Sequence, residues 1–405
     1  MKQLSKMMLA AVASVAFAAP AFAWDFGASG SSSAKWMTQT TNSGADGAKA
    51  ITSANFSSSA GGVTVSSSNS DGANSATFSY TADWNGDASN FDEYVTVSGS
   101  KKVGNWTASS STTQHIQKDV DTRADTDATT AGDQNGANYA QGSTPMRAGA
   151  TAAITLTDGS ITYKLGDAAH LSTAEKAVNG PMSGAVDAEA RVDSFNGFSV
   201  GLGVGPGTLT VALDHNSGAA STSLGDIGIG IACGGQGTAF GLNFSGDVGA
   251  DLSFTYGSGS SAPSATYCVG DNASNAASAS TMGLGVAVPM GNMSLAFDYE
   301  STATSNTAAG SETKVANSGY ELSFTMSGIA DGTVGINISS QATSSTVGTG
   351  DAAETTAAGT ELWWTVPIGP VSLAVGYGSG SKTTGSTTKV TAVTTQMGAE
   401  MSMSF

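Results

Sequence analysis

The densest set of reactive side chains lies in one long polar stretch, residues 114–147. Carboxylates at alternate positions could hold Ca²⁺, because hard cations prefer oxygen ligands. However, Arg123 stands where a calcium loop has its third ligand, and the glycine that makes the sharp turn of such a loop is missing. The sequence therefore predicts no metal site here, only a run of acidic charge carried by Asp119, Asp121, Asp125, Asp127 and Asp133.

Other candidates for catalysis are weak. His115, His170 and His215 lie far apart, without cysteines or carboxylates at metal-ligand spacing, and we interpret them as solvated loop side chains. The stretch 376–383 resembles a phosphate-binding loop, but Ser381 replaces the glycine before the lysine and no helical pattern follows. We therefore expect no cofactor and no enzymatic activity.

Cys233 and Cys268 are the only cysteines, and each lies in or beside a long loop. An even pair of cysteines in an exported protein favours a disulfide, although two free thiols remain an alternative.

The sequence also predicts export. Lys2 and Lys6 precede the apolar run 7–17, and Ala21-Phe22-Ala23 is a small-residue cleavage site, so we expect a signal peptide over 1–23 with cleavage after Ala23.

Composition narrows the class of the mature chain, residues 24–405. The protein has 405 residues and a net charge of −17, so we expect no nucleic-acid partner. Only 12% of the residues are charged, 53 are Gly and 7% are aromatic, which leaves few large side chains for a solid core. Disorder would also suit such a composition, but a disordered chain lacks the regular apolar alternation seen here.

Apolar side chains alternate with small polar ones in segment after segment, which predicts strands with one apolar face. Clear examples lie at 209–213, 252–256, 295–299, 320–326 and 371–377. A soluble sheet would need a second layer to cover that face, and nothing in the chain could supply it. Tyr80, Tyr163, Tyr256, Tyr299 and Tyr377 fall near strand ends, where a ring of aromatic residues would lie at a membrane interface.

Short turns alternate with long polar loops, as in an up-and-down transmembrane β-barrel with short periplasmic turns and long extracellular loops. Eight hairpins with a first and a last strand make 18 strands, and 16 remains possible because residues 61–68 and 224–237 are ambiguous. We therefore predict an all-β, antiparallel transmembrane barrel of 16 to 18 strands. The predicted tight turns lie near 71–72, 99–104, 158–159, 205–207, 246–247, 290–292, 328–332 and 368–370.

The last strand resembles the assembly signal of bacterial outer-membrane barrels, with a polar residue, a glycine two positions on and alternating apolar positions up to a terminal Phe. These positions are Gln396, Gly398, Met401, Met403 and Phe405. The segments 93–106 and 324–336 are similar to those of α-proteobacterial porins. This resemblance implies a place in the bacterial outer membrane among its lipids, insertion by the barrel-assembly machinery, a homotrimer, and a third loop folded into the lumen.

By its position in the chain, the stretch 114–147 matches that third loop, so we expect it to form the pore constriction. Its acidic residues would face Arg147, Lys164 and Arg191 across the lumen, creating a transverse field that orders polar solutes. A solvated outer loop is the alternative. Alternation also places charged side chains on the inner face, at Asp251, Asp298, Glu300, Glu321, Glu361 and Glu400.

The sequence thus predicts an outer-membrane porin for passive diffusion of small hydrophilic solutes and ions, with a preference for cations because acids exceed bases. A substrate-selective channel is one alternative. It would need aromatic side chains along the lumen, for which only Tyr94, Phe195 and Trp363 are candidates. A structural or adhesive barrel with little conductance is another. A secreted β-solenoid is the remaining alternative, but its coils would repeat at shorter and more uniform spacing than the turns and long loops here.

Overall fold

The computed structural model of the chain describes residues 25–83, 92–117, 151–171, 174–181, 194–217, 222–224, 229–231, 236–262, 276–308, 311–350, 352–385 and 388–405. The predicted signal peptide, 1–23, and the predicted disulfide between Cys233 and Cys268 lie outside these residues. Among the described residues, no helix is long and apolar enough to cross a membrane.

The strands are long and follow one another along the chain. They are β1 (Asp25–Asn42), β2 (Ile51–Ser70), β3 (Asn74–Asp83), β4 (Asp92–Val103), β5 (Trp106–Gln117), β6 (Thr151–Thr157), β7 (Ile161–Ala169), β8 (Ser194–Val204), β9 (Gly207–Ser217), β10 (Thr222–Leu224), β11 (Ile229–Ile231), β12 (Gln236–Asp247), β13 (Asp251–Ala262), β14 (Ala276–Met290), β15 (Met293–Ala308), β16 (Ser311–Ile329), β17 (Gly332–Val347), β18 (Ala353–Ile368), β19 (Val371–Gly385) and β20 (Val390–Ser404).

The fold is a closed antiparallel β-barrel of 18 strands. β1 pairs with both β2 and β20, so the sheet closes on itself, while β10 and β11 form a separate two-stranded sheet. Eighteen is the upper end of the predicted range. All eight predicted tight turns are confirmed, because each connects two paired strands or lies where such a hairpin turns.

The chain divides into two compact units, one of which contains residues 58–158 with 1–33 and 403–405. Within it, paired strands share hydrogen bonds between facing hydroxyls: Thr64 with Thr81 and Thr96 with Thr113, both at 2.8 Å. The C-terminal residue also belongs to this unit. The Gly30 N–H donates to the Phe405 carbonyl at 2.8 Å, and the Phe405 N–H donates to the Gly30 carbonyl at 3.0 Å.

The other unit contains residues 34–57 and 159–402. Its strands have two distinct faces, which we call outer and inner. The outer face exposes apolar side chains such as Ile338 and Leu362, which are 43% and 52% exposed. The inner face buries polar ones, including Glu321 and Glu361 at 1% and 0%. A water-soluble fold has the reverse arrangement, so this sheet is built for an apolar environment outside.

Candidate functional site

One irregular segment lies against the inner face of the second unit. It follows β7, and we call residues 174–181 the strap. A segment outside helices and sheets must find other partners for its backbone N–H and C=O groups. Side chains of the barrel wall provide them here.

Asp298 on β15 is the strongest acceptor for the strap. Its Oδ1 and Oδ2 accept the Lys176 N–H at 2.8 and 2.9 Å, and its Oδ2 accepts the Ala177 N–H at 2.5 Å. The carboxyl is only 1% exposed. Hydrogen bonds to a carboxylate are shorter and stronger than those between neutral groups, so Asp298 fixes the middle of the strap.

The next three strands continue the attachment. Ser323 Oγ on β16 accepts the Val178 N–H, and Glu361 Oε2 on β18 accepts the Gly180 N–H, both at 2.9 Å. Between them on β17, Asn337 Nδ2 donates to Asn179 Oδ1 at 2.7 Å, to the Val178 carbonyl at 3.3 Å, and to Glu321. The strap therefore crosses four neighbouring strands along the wall.

Glycines let the strap approach closely at two places. A Cβ on Gly285 of β14 would lie 1.6 Å from the Ala174 carbonyl oxygen. A Cβ on Gly180 would lie 2.2 Å from Trp363 Cδ1 and 2.6 Å from Glu361 Oε1. Since real Cβ atoms do not come within 3.0 Å of other heavy atoms, any larger residue at either position would force the strap or the wall residue against it to shift.

His170, just before the strap, is buried at 4% exposure. Its Nδ1 lies 2.9 Å from Ser199 Oγ and its Nε2 lies 2.8 Å from the Gly166 carbonyl oxygen. Because a carbonyl only accepts, Nε2–H donates to the Gly166 carbonyl, and in the neutral ring Nδ1 accepts from the Ser199 hydroxyl. The prediction of a solvated loop side chain is therefore wrong for His170. At the other end of the strap, the Lys35 ammonium of β1 donates to the Pro181 carbonyl.

One ion pair joins the strap to the wall through side chains. Lys176 Nζ lies 3.0 Å from Asp251 Oδ2 on β13, and the two side chains are 17% and 53% exposed. A partly solvated pair of this kind contributes little to stability, so the backbone bonds to Asp298 and its neighbours provide most of the attachment.

Most of the predicted constriction lies outside the described residues. This holds for 118–147 and Arg191, whereas residues 114–117 belong to β5. Lys164 lies on β7 directly opposite Ser199, whose hydroxyl bonds the buried His170, so Lys164 is on the inner face. Its predicted partners on the acidic stretch are the ones outside the described residues, namely Asp119, Asp121, Asp125, Asp127 and Asp133.

The prediction of inward-facing wall acids is confirmed at the strap. Asp298, Glu300, Glu321 and Glu361 are all less than 7% exposed, and Glu321 faces Asp298 across the β15–β16 pair. On the last strand, Gln396 Nε2 donates to Gln39 Oε1 of β1 at 3.2 Å, while Met397 and Met401 are half exposed on the opposite face. No cluster of three or more metal-ligating His, Cys, Asp or Glu side chains occurs in the described ranges.

The strap is the feature that sequence reasoning missed. Its attachment uses main-chain N–H groups, which every non-proline residue carries, so the segment 174–181 has no distinguishing pattern. One signal was available: alternation placed acids on the inner faces of β15, β16 and β18, and no bases were predicted on those strands to pair with them.

No protein-family profile and no curated protein sequence matches the chain. Among solved structures, the fold is similar to the outer-membrane channel DcaP of Acinetobacter baumannii, with a TM-score of 0.50 and 10% identity over 94% of this chain and 97% of that one. The anion-selective porin from Comamonas acidovorans gives 0.47 and 12% over 94% and 100%. The trimer form of OmpT of Vibrio cholerae gives 0.40 and 10% over 95% and 100%. The likeness to DcaP at this identity shows the fold alone.

Proposed function

We propose that the protein is a bacterial outer-membrane channel through which small hydrophilic solutes and ions diffuse passively. The observation that carries the proposal is the arrangement of faces on a closed barrel of 18 strands. Apolar side chains are exposed on the outer face and polar side chains line the inner face. Barrels of 16 to 18 strands are wide enough to leave an aqueous channel.

The proposal extends to the pore and its setting. The strap narrows the route from one side, because it is bound along the wall, and the acidic stretch 114–147 with Arg147, Lys164 and Arg191 contributes the transverse field. The net charge of −17 supports a preference for cations. Export with cleavage after Ala23, insertion by the barrel-assembly machinery and a homotrimer in outer-membrane lipid belong to the same proposal.

Trp363 argues against a substrate-selective channel. It is one of the three aromatic candidates for a ladder along the lumen, yet it is only 7% exposed. Gly180 of the strap lies against it on one side and Gly335 of β17 on another, since a Cβ on either would come within 2.2 Å of the ring. A ring covered in this way cannot stack on a passing solute.

Planar-bilayer recording of the refolded mature chain tests the proposal. We expect stable open steps and, under a salt gradient, a reversal potential on the cation-selective side. Protein denatured before addition is the control. Folded, membrane-inserted protein that does not conduct would contradict the proposal and favour a structural or adhesive barrel.

A further inference from the structure

Three wall carboxylates are covered where a water-filled pore would be expected to expose them. Asp298, Glu321 and Glu361 lie on the inner face of β15, β16 and β18, and each is at most 1% exposed. Carboxylates that line a pore attract cations and repel anions only when permeating ions can approach them. While the strap is in place, permeating ions therefore cannot come into contact with these three carboxylates.

The strap covers this row mainly with backbone groups. Asp298 accepts the N–H groups of Lys176 and Ala177, and Glu361 accepts that of Gly180. The one basic side chain of the strap, Lys176, is directed instead to Asp251 on β13. The negative charge of the wall is thus hidden beneath the strap, and a displaced strap would return it to the lumen.

We propose that the strap is a removable cover and that its docking sets the charge selectivity of the channel. This inference rests on the proposed function. With the strap docked, cation preference comes only from acids that remain exposed, such as Asp251. With the strap released, Glu321 and Glu361 face the lumen, the pore is wider, and cation preference rises. Asp298 is the positioning residue for the docked state.

The structure makes Asp298→Asn a selective test. Two carboxylate oxygens now accept the Lys176 and Ala177 N–H groups, whereas an asparagine has one acceptor oxygen and an NH₂ group that opposes a second N–H donor. The side-chain shape is kept, so the main loss is the docking of the strap.

The matched control is Asp251→Asn. Asp251 is an acid on the same face, but it contacts only the Lys176 side chain among the strap contacts described, and it is half exposed. If wall acids act simply as pore charge, both variants lose one negative charge and both lower the cation preference. If the strap is a cover, Asp251→Asn lowers the preference while Asp298→Asn raises it. The two explanations therefore predict opposite signs for Asp298.

Reversal potential and single-channel conductance are measured for the wild type and both variants. We expect Asp298→Asn to raise the cation-to-anion permeability ratio at least about twofold, because two more carboxylates line the pore, and to increase conductance. A ratio that falls in Asp298→Asn as it does in Asp251→Asn overturns the proposal. Ser323→Ala removes the acceptor of the Val178 N–H, and we expect it to give a smaller change of the same sign. It replaces Asp298→Asn as the test if that variant does not fold.

A disulfide lock tests reversibility. The Val178 N–H donates to Ser323 Oγ at 2.9 Å, so the strap lies directly against β16 at these two residues. The pair Val178→Cys and Ser323→Cys is placed in an Asp298→Asn chain in which Cys233 and Cys268 are serine. Under oxidising conditions we expect the permeability ratio to return to that of the wild type, and reductant to restore the raised value. If the disulfide forms and the permeability ratio is the same before and after its reduction, the strap is not a cover.

A second readout does not depend on conductance. Glu321→Cys should react slowly with a charged, water-soluble thiol reagent in the otherwise unchanged wall and at least about tenfold faster with Asp298→Asn, because the strap excludes the reagent. Equal labelling rates refute the cover. A barrel that does not conduct refutes the proposed function, whereas the labelling rates still decide whether the strap covers the wall.

Discussion

Trp363 shows how a single side chain fixes the far end of the strap. Its ring packs against Gly180 on the strap and Gly335 on the neighbouring strand, and its own strand also carries Glu361, which accepts the Gly180 N–H. Packing and a hydrogen bond therefore act on the same strap residue. Burial of the indole stabilises the docked strap because the ring has a large apolar area. The ring can lie this close to both neighbours only because neither glycine has a side chain.

Gly180→Ala should weaken this end of the strap. The new Cβ would lie 2.2 Å from Trp363 Cδ1, so either the ring or the strap must move. We expect Ser323→Cys in this background to react with a water-soluble thiol reagent several times faster than Ser323→Cys alone, because the wall beneath the strap becomes accessible. Gly203→Ala is the control, since its nearest atom, the Ser160 carbonyl oxygen, lies at an ordinary 3.5 Å. Unchanged labelling in Gly180→Ala would show that Trp363 does not hold the strap.

At the scale of residues, the sequence predicted the orientation of the wall acids but not their hydrogen-bond partners. Strict alternation placed Asp298, Glu321 and Glu361 on the inner face, because side chains of a strand point to opposite sides at every step. The acceptor roles of Asp298 and Glu361 depend on main-chain atoms about 120 to 180 residues away along the chain. His170 shows the same limit: its position after β7 indicated a loop, but its burial depends on Ser199, which a later strand supplies.

At the scale of elements, the tight turns made the strand count predictable. A strand of this barrel ends where a glycine or a polar turn allows the chain to reverse, as at Gly369 between β18 and β19, whose φ of 63° suits a residue without a Cβ. Longer connections carry no such constraint on length or conformation. That difference explains why all eight hairpins could be located while the inward course of the segment after β7 could not.

The end of β20 is the element whose sequence made the most specific prediction. Phe405 exchanges both backbone hydrogen bonds with Gly30 of β1, at 2.8 and 3.0 Å, and a Cβ on Gly30 would lie 2.6 Å from the Phe405 ring. The last residue of the chain therefore pairs with the first strand, in the place where the sheet closes.

We expect Gly30→Leu and deletion of Phe405 to lower the yield of folded barrel. The leucine side chain would collide with the Phe405 ring, and the deletion removes both hydrogen bonds of the closing pair. The fraction of protein that keeps its compact, heat-modifiable mobility in detergent gels measures the effect. Met403→Leu, which keeps an apolar side chain on the same face, is the control. Full assembly of the deletion variant would show that closure does not depend on this pair.

At the scale of the whole molecule, the outer face changes from apolar to charged along β16 and β18, and this change marks how far an apolar band extends from the tight turns. On β18 the outer face carries Leu362, which is 52% exposed, whereas eight residues toward the loops it carries Glu354, paired with Lys389 at 3.0 Å. On β16 the same face changes from exposed Tyr320 to the pair of Glu312 and Lys314 at 2.9 Å. In the proposed outer-membrane setting, apolar residues near the tight turns and ion pairs near the loops place the hydrocarbon against the turn-side part of these strands only.

Lysine substitutions on one strand test that depth. Leu362→Lys would place an ammonium in the hydrocarbon, where a lysine near the bilayer midplane costs about 2–4 kcal/mol. Thr356 lies on the same face of β18, nearer to the Glu354–Lys389 pair, so Thr356→Lys should cost less than about 1 kcal/mol, as at the interface. Urea unfolding from lipid vesicles measures both free energies. The two variants add the same charge to the same strand face, so a difference beyond the loss of the leucine side chain itself reports the position of the membrane. Equal losses would mean that the hydrocarbon reaches Thr356 as well, and the belt would then extend over the whole strand.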